Sequence, residues 1–383
     1  MTLFGLAGIL VAGLLGPLLA TPHRLRLPVV VGELLAGVLV GRTGAGWVNP
    51  DQPVLAFLAS AGFALVMLVA GSHVPLRHDA LRGTLRRGVL LAGAVGLLAV
   101  PASLGIARLT GTGHAPLYAV LLASSSAALV MPIIQGEGWD TPAVRVTIVQ
   151  VAVADTVCII ALPLVAAPAH AKGAALGVLA VLVAGCAMWL VMRWLRAHRV
   201  LDWVRRLSIR RNFGLELRAE LILLFALAGL AQWVGISVML AGFVTGLVLA
   251  AQGEPRRLAR QLFAVTDGFL APVFYVWLGA TLDLRALAGQ PRMLVLAALL
   301  AGGTLAVHAA AGFLGQPVTL SVLAAAQLGV PVAAVTIATT GHLLTRGEDA
   351  AILAAALVTI LAAGTAGALA SRSQRRGSTL GPR

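Results

Sequence analysis

The sequence predicts an all-α polytopic membrane protein of about thirteen transmembrane helices, built as two inverted five-helix repeats with crossed, discontinuous helices. Three observations predict it. Apolar stretches long enough to span a bilayer recur along the chain. Basic residues gather on alternate connections between those stretches. Three short motifs return in the same order about two hundred residues later.

The stretches come first. Of 383 residues, 59% are hydrophobic and 11% are charged, and the mean hydropathy is +0.96. That is too little charge to cover a soluble domain. Crossing the hydrocarbon core takes about 20 apolar residues per helix. Such stretches fall at 3–20, 27–45, 54–74, 88–109, 115–135, 142–166, 173–195, 216–234, 236–252, 261–280, 292–314, 317–341 and 349–370. Met1-Thr2-Leu3-Phe4 lacks a basic leader, so the first stretch reads as a retained span rather than a cleaved signal. Cys158 and Cys186 sit in apolar runs without ligand spacing, which indicates neither a disulfide nor a metal site.

The net charge of +14 raises the question of nucleic acid. Its distribution points elsewhere. Arg42, Arg108, Lys172, Arg285, Arg292 and Arg346 flank the even-numbered connections; the other 22 of 28 Lys and Arg residues lie on the odd-numbered ones and the C-terminal tail. They include Arg24, Arg26, Arg77, Arg82, Arg86 and Arg87, the dense run from Arg193 to Arg218, and Arg256, Arg257 and Arg260. Basic loops stay in the cytoplasm. The expectation is a multi-pass protein of the inner or plasma membrane, N-terminus outside and C-terminus cytoplasmic. The 193–218 run reads as a linker that touches anionic lipid headgroups.

The repeats follow from self-similarity. Leu34-Leu35-Ala36-Gly37-Val38-Leu39-Val40-Gly41 in span two echoes Met239-Leu240-Ala241-Gly242-Phe243-Val244-Thr245-Gly246 in span nine. Val69-Ala70-Gly71-Ser72-His73-Val74-Pro75-Leu76-Arg77 in span three echoes Trp277-Leu278-Gly279-Ala280-Thr281-Leu282-Asp283-Leu284-Arg285 in span ten. Met131-Pro132 in span five falls opposite Val330-Pro331 in span twelve, and the three offsets are 205, 208 and 199 residues. Partners stand seven spans apart, an odd number, so the copies face opposite ways across the membrane, as in many secondary transporters. The division is then 27–166 for the first repeat, 167–235 for connecting helices and the basic linker, 236–370 for the inverted repeat and 371–383 for a short tail, all within one transmembrane unit.

Spans five and twelve carry the signature of broken helices. Ser124-Ser125-Ser126 precedes Pro132, and Gln327-Leu328-Gly329 precedes Pro331. Irregular backbone at membrane depth is tolerated around a cavity, where freed carbonyls and amides meet ions. Ser and Gly also permit close helix packing, the plainer reading.

Among fourteen acidic residues, Asp155 stands apart, near the middle of span six with apolar sequence on both sides. A charge at that depth costs about 2.5–3.5 kcal/mol, so its default reading is functional. The structural alternative is a neutral carboxyl group bonded to a neighbouring hydroxyl. Removal from water favours the protonated form of a carboxyl group. One carboxylate shared in turn by H⁺ and a metal cation is sufficient chemistry for an antiporter.

Thr147, Gln150 and Thr156 flank Asp155 as candidate oxygen donors. His308, about one turn beyond Thr304, is a candidate for proton transfer or pH sensing, against a plain packing role. Glu33, near the start of span two, reads as a structural hydrogen-bonding group, with cation binding as the alternative. Glu216, Glu220, Asp267 and Asp283 are placed at or near span ends, and His73 and His342 at boundaries.

Pro28-Val29-Val30-Val31-Gly32-Glu33-Leu34-Leu35-Ala36-Gly37, the Ser-rich break ending in Pro132, and Val153-Ala154-Asp155 together resemble the monovalent cation:proton antiporters of the Kef and bacterial sodium/proton exchanger type. Gly235-Ile236-Ser237 with Ala241-Gly242-Phe243, and Pro272-Val273-Phe274-Tyr275-Val276-Trp277-Leu278-Gly279, extend the likeness over essentially the whole chain. The resemblance implies a core with two crossed, unwound helices, a separate panel of helices for homodimerisation, and alternating access of one against the other. It matches Asp155 to the family's ion-binding aspartate, and it implies Na⁺ or K⁺ and H⁺ as the transported partners. Neither a cofactor nor nucleic acid is expected. Many members carry Asp or Asn before that aspartate, where this chain has Ala154; many place Lys or Arg in span eleven, where none stands around Gly303-Thr304. With one carboxylate and no counter-cation, electroneutral one-for-one exchange is the simplest charge balance.

Na⁺/H⁺ exchange, with Asp155 and the Ser124–Ser126 hydroxyls supplying hard oxygen ligands, is thus the first functional expectation. A transporter of another solute on the same fold, or a cation channel or ion-sensing membrane component, is the alternative. The tail, Ser371-Arg372-Ser373-Gln374-Arg375-Arg376, holds no Gly-rich nucleotide-binding segment, and no nucleophile, metal cluster or phosphate loop suggests an enzyme.

Overall fold

A computed structural model describes residues 1–21, 28–74, 82–136, 138–166, 171–211, 213–253, 256–340 and 343–378. Arg24, Arg26, Arg77 and His342 lie outside them, as do Pro75 and Leu76 of the second repeat motif.

Each predicted apolar stretch is helical. The first holds α1 (Leu3–Gly13) and α2 (Leu15–Ala20), the second α3 (Val29–Val40), the third α4 (Pro53–Ser72) and the fourth α5 (Arg82–Thr110). The fifth is split into α6 (Ala115–Ala123) and α7 (Ala127–Gly136), and the sixth is α8 (Pro142–Ala166). Then come α9 (Ala171–Ala197), the basic surface helix α10 (Val200–Arg211), α11 (Leu215–Trp233) and α12 (Val238–Gln252). The tenth stretch runs from α13 (Arg256–Val265) through a π-helical turn (Thr266–Leu270) into α14 (Ala271–Thr281), followed by the short α15 (Leu284–Ala288). The last three are α16 (Pro291–Ala309), the second split stretch α17 (Val318–Ala324) and α18 (Gly329–Thr340), and α19 (Glu348–Ser378).

By length and composition, nine helical stretches among the described residues can cross a membrane, and Val29–Val40, Ala115–Met131 and Val238–Gln252 are shorter apolar helices. α11, the predicted eighth span, carries Glu216, Arg218 and Glu220 in its first two turns. Glu216 pairs with Arg205 of α10 at 3.7 Å, and Glu220 is buried.

The glycines of the recurring motifs have a packing role. A methyl group at Gly37 would lie 2.2 Å from the Val276 carbonyl and 2.8 Å from the Gly279 Cα; one at Gly246 would lie 2.2 Å from the Leu68 carbonyl and 2.8 Å from the Gly71 Cα. Only glycine lets the backbones of α3 and α14, and of α4 and α12, approach so closely. Each pairing joins a helix from the first half of the chain to one from the second. The Phe63 and Phe274 rings, 4.8 Å apart, link the two pairs. These four helices make one layer. A second group, α5 to α8 with α16 to α19, packs beside it and contains both split stretches.

Asp267 departs from its predicted place near a span end. It lies mid-way along the continuous helix from Arg256 to Thr281, within the π turn. There it acts electrostatically on the buried Glu33 and Tyr275.

Candidate ion-binding site

The site grows from two helix breaks. α6 stops where Ser124 turns to extended backbone (φ −72°, ψ 149°), and its hydroxyl donates to the Leu121 carbonyl at 2.9 Å. Serine competes in this way for carbonyls that the next turn would use. The Ser126 carbonyl then accepts from the Leu129 and Val130 amides, which starts α7. In the second split stretch, α17 ends at Ala324 and α18 begins at Gly329. The breaks thus fall at the polar clusters. The prolines sit beyond them, Pro331 in the first turn of α18 and Pro132 further along α7. A first-turn proline gives up an amide that has no intrahelical acceptor anyway.

The two breaks bind each other. Ser125 donates its hydroxyl to the Ala324 carbonyl at 2.7 Å, serving the end of α17. In return the Gln327 amide donates to the Leu121 carbonyl, to the Ser124 carbonyl at 3.4 Å and to the Thr304 hydroxyl at 3.2 Å, serving the end of α6. Asp155 of α8 closes the third terminus. Its Oδ2 accepts the Ala127 amide, the first of α7, at 2.9 Å. A carboxylate there meets the partial positive charge of a helix N-terminus. Asp155, Ser124, Ser125, Ser126, Gln327 and Thr304 are all buried.

Other predicted residues point elsewhere. Thr156 is half-buried and donates to the Ala152 carbonyl of its own helix at 2.7 Å. Gln150, five residues before Asp155 and so well round the helix from it, belongs to a separate knot. Gln316 donates to Thr147 at 3.0 Å and to Gln150 Oε1 at 2.6 Å, and Ser321 donates to Gln316 at 3.1 Å. His308 is fully buried; its Nδ1 lies 3.0 Å from the Thr304 carbonyl, and its Nε2 has no partner among the described residues.

Three features escaped the sequence reading. Gln327 was visible there only as part of a break. Thr359 of α19 accepts the Gln327 backbone N–H at 3.3 Å and donates to the Ala356 carbonyl at 2.7 Å. It lies 204 residues beyond Asp155, inside the spread of motif offsets, and that spacing was the available signal. Glu348, at the start of α19, accepts from Tyr118 (2.6 Å), His114 Nδ1 (2.7 Å), the Thr345 amide (2.9 Å) and the Thr345 hydroxyl (2.8 Å). It thereby ties the start of α6 to the start of α19.

A cavity of about 270 Å³ opens between the two helix groups, lined among others by Phe63, Ser237, Phe274, Trp277, Val332 and Thr336. Met67 and Met239 lie beside Gly329, where an added methyl would meet their sulfurs at 3.1 and 3.4 Å. Met67 is one turn along α4 from Phe63, and Gly329 one turn along α18 from Val332. The two thioethers therefore pack next to the second break, one helical turn from the cavity lining.

The sequence profile of the family described as "Sodium/hydrogen exchanger, transmembrane" matches residues 9–370. Among curated relatives, the putative Na(+)/H(+) antiporter YjbQ of Bacillus subtilis is 24% identical over 315 residues, 76% of this chain and 49% of that protein. The Na(+)/H(+)-K(+) antiporter GerN of Bacillus cereus is 22% identical over 70% of this chain and 68% of its own length. The glutathione-regulated potassium-efflux system protein KefC of Salmonella paratyphi B is 28% identical over 80% of this chain and 48% of its own length. The chain thus spans about half the length of YjbQ and KefC. The fold matches that of the sodium proton antiporter MjNhaP1 from Methanocaldococcus jannaschii with a TM-score of 0.62 at 16% identity, covering 96% of this chain and 95% of the other.

Proposed function

This chain belongs to the transmembrane sodium/hydrogen exchanger family, and on that premise we propose that it is a secondary active antiporter exchanging a monovalent cation for H⁺ by alternating access. The observation that carries the reading is the Asp155 carboxylate, buried mid-span and bonded to the first amide of a broken helix. Asp155 binds proton and cation in competition. In the protonated state it is neutral and releases the cation; on losing the proton it offers a hard anionic oxygen. The Ser124, Ser125 and Ser126 hydroxyls and the carbonyls freed at the breaks complete an oxygen shell suited to a small monovalent ion. Movement of the group holding the breaks against the α3, α4, α12 and α14 layer carries Asp155 from one side to the other. The amide bond from Ala127 remains available to the carboxylate in either position, because α7 and α8 travel together.

Na⁺ is the favoured cation. The names of GerN and KefC, which include potassium, keep K⁺ as the second reading. One carboxylate per site gives one charge exchanged for one, so the cycle is electroneutral. The N-terminus lies outside and the basic α10 face in the cytoplasm.

Proton efflux from acid-loaded proteoliposomes on adding Na⁺, K⁺ or Li⁺ tests the proposal. The native protein is expected to respond to Na⁺, with an apparent KM for the cation that rises as pH falls, and Asp155→Asn is expected to abolish the response. Cation-independent flux in the native protein, or full exchange in Asp155→Asn, would sink it.

A further inference from the structure

We propose that Gln327 is a positioning residue for this exchange: it holds the broken end of α6 with an uncharged donor and thereby sets the geometry of the Asp155 cap. The inference rests on the antiport reading above. The carbonyls at the end of α6 carry partial negative charge and take donors from outside the helix, although that of Leu121 also accepts the Ser124 amide at 3.1 Å and hydroxyl at 2.9 Å. Two of them, on Leu121 and Ser124, accept from the Gln327 amide, which also reaches Thr304 Oγ1 of α16. Gln327 is itself 4% exposed and is held from behind, where Thr359 accepts its backbone N–H at 3.3 Å.

The consequence follows from chain continuity. Leu121 and Ser124 lead directly into Ala127, whose amide meets Asp155. A shift at the end of α6 is therefore a shift of the first turn of α7 and of the donor that faces the carboxylate. The second break, through Gln327, places the first. The donor chosen has no net charge. A lysine or arginine reaching the same carbonyls would add a fixed positive charge a few residues from Asp155 and change what one carboxylate can balance. Glutamine supplies two N–H groups and leaves the charge of the site to Asp155 and its bound ion.

Three variants separate this role from simple packing. Gln327→Leu fills the space and removes the donors. Gln327→Glu donates through its O–H when protonated, and when ionised sets a negative charge against two carbonyl oxygens. Gln327→Asn keeps the amide but withdraws it by one methylene. In the proteoliposome assay, Gln327→Leu is expected to lose about tenfold or more in kcat/KM. Gln327→Asn should also slow, with an unshifted pH profile. Gln327→Glu should retain exchange only on the acid side, its profile displaced from the native one by about one pH unit or more. A packing role alone would not move that profile. Should Gln327→Leu fail to yield monodisperse protein, the Glu and Asn pair carries the test. Superimposable profiles for native and Gln327→Glu, or native rates in Gln327→Leu, would overturn the positioning role. If that happens while Asp155→Asn is inactive, the antiport reading stands alone. If the native protein exchanges no cation at all, both fall together.

Discussion

Gly37→Ala probes the close approach of α3 and α14. The added methyl would stand 2.2 Å from the Val276 carbonyl oxygen, 2.8 Å from the Gly279 Cα and 2.9 Å from the Ala280 nitrogen. All three are backbone atoms, so no change of rotamer relieves the clash. Ordinary contact begins at 3.4 Å, which requires α3 and α14 to part by about 1 Å; a gap of that size forfeits roughly a quarter to a half of the dispersion energy between the facing atoms. The parting also strains the bonds that tie the end of α3 to α14: Arg42 N to the Ala280 carbonyl at 3.1 Å, and Thr43 Oγ1 to the Leu282 carbonyl at 2.6 Å. Overpacking costs about 1–3 kcal/mol, and a backbone clash belongs near the top of that range. Replacing a helical glycine by alanine returns up to about 1 kcal/mol. The net expectation is a loss of about 2 kcal/mol, read as a melting temperature several degrees lower in thermal unfolding of the purified protein. Gly93→Ala and Gly96→Ala on α5 are the controls, because a methyl at either meets nothing within 4 Å; both should melt at or above the native temperature. A Gly37→Ala protein as stable as these controls would refute the claimed contact.

Glu348→Ala removes the acceptor shared by the Tyr118 hydroxyl, His114 and Thr345; Tyr118 alone of the three is fully buried, and it keeps Thr112 at 2.9 Å, so the loss should be about 1–3 kcal/mol in all, read as a lower melting temperature, and an unchanged melt would contradict the network. Gly329→Ala should be far milder, under about 1 kcal/mol, because its methyl meets the mobile ends of Met67 and Met239 rather than backbone; thermal unfolding beside Gly37→Ala checks the ranking.

The helices were legible because a bilayer demands long apolar runs and tolerates few charges, a coarse signal that survives errors at the ends. The breaks were legible for a related reason. Ser124-Ser125-Ser126 and Gln327-Leu328-Gly329 have no place in an unbroken lipid-facing helix, and both stretches are split at those residues. Which way a side chain faces was not legible. Gln150 looked like a neighbour of Asp155 by number but turns to Gln316, since five residues carry a helix well past a full turn. Asp267 was misplaced because the helix that holds it starts at Arg256, in the basic residues before the apolar stretch. Glu348 looked like an acid at a helix start; its partners Tyr118 and His114 lie more than two hundred residues earlier in the chain. Thr359 was silent because a lone threonine in an alanine-rich helix satisfies itself on its own turn, as it also does here.

Thr359 carries the last prediction, because its place exposes how the charge of the site is apportioned. Asp155 accepts the Ala127 backbone amide beside the first break, and Thr359 accepts the Gln327 backbone amide in the second. The two acceptors are 204 residues apart and the two amides 200, close to the motif offsets. If the halves are inverted copies, one copy keeps a carboxylate where the other keeps a hydroxyl. Thr359→Asp then builds the second carboxylate. It carries an insertion cost of about 2.5–3.5 kcal/mol, so a lower yield is expected. Two carboxylates near one crossing are not both ionised readily, and a cycle that brings in one cation against two protons moves net charge. Native exchange should be indifferent to membrane potential, whereas Thr359→Asp should give currents on a solid-supported membrane that reverse with the imposed proton gradient. Currents of equal size in the native protein would refute electroneutrality. An active Thr359→Asp without current would refute the equivalence of the two acceptors and leave the Asp155 assignment intact.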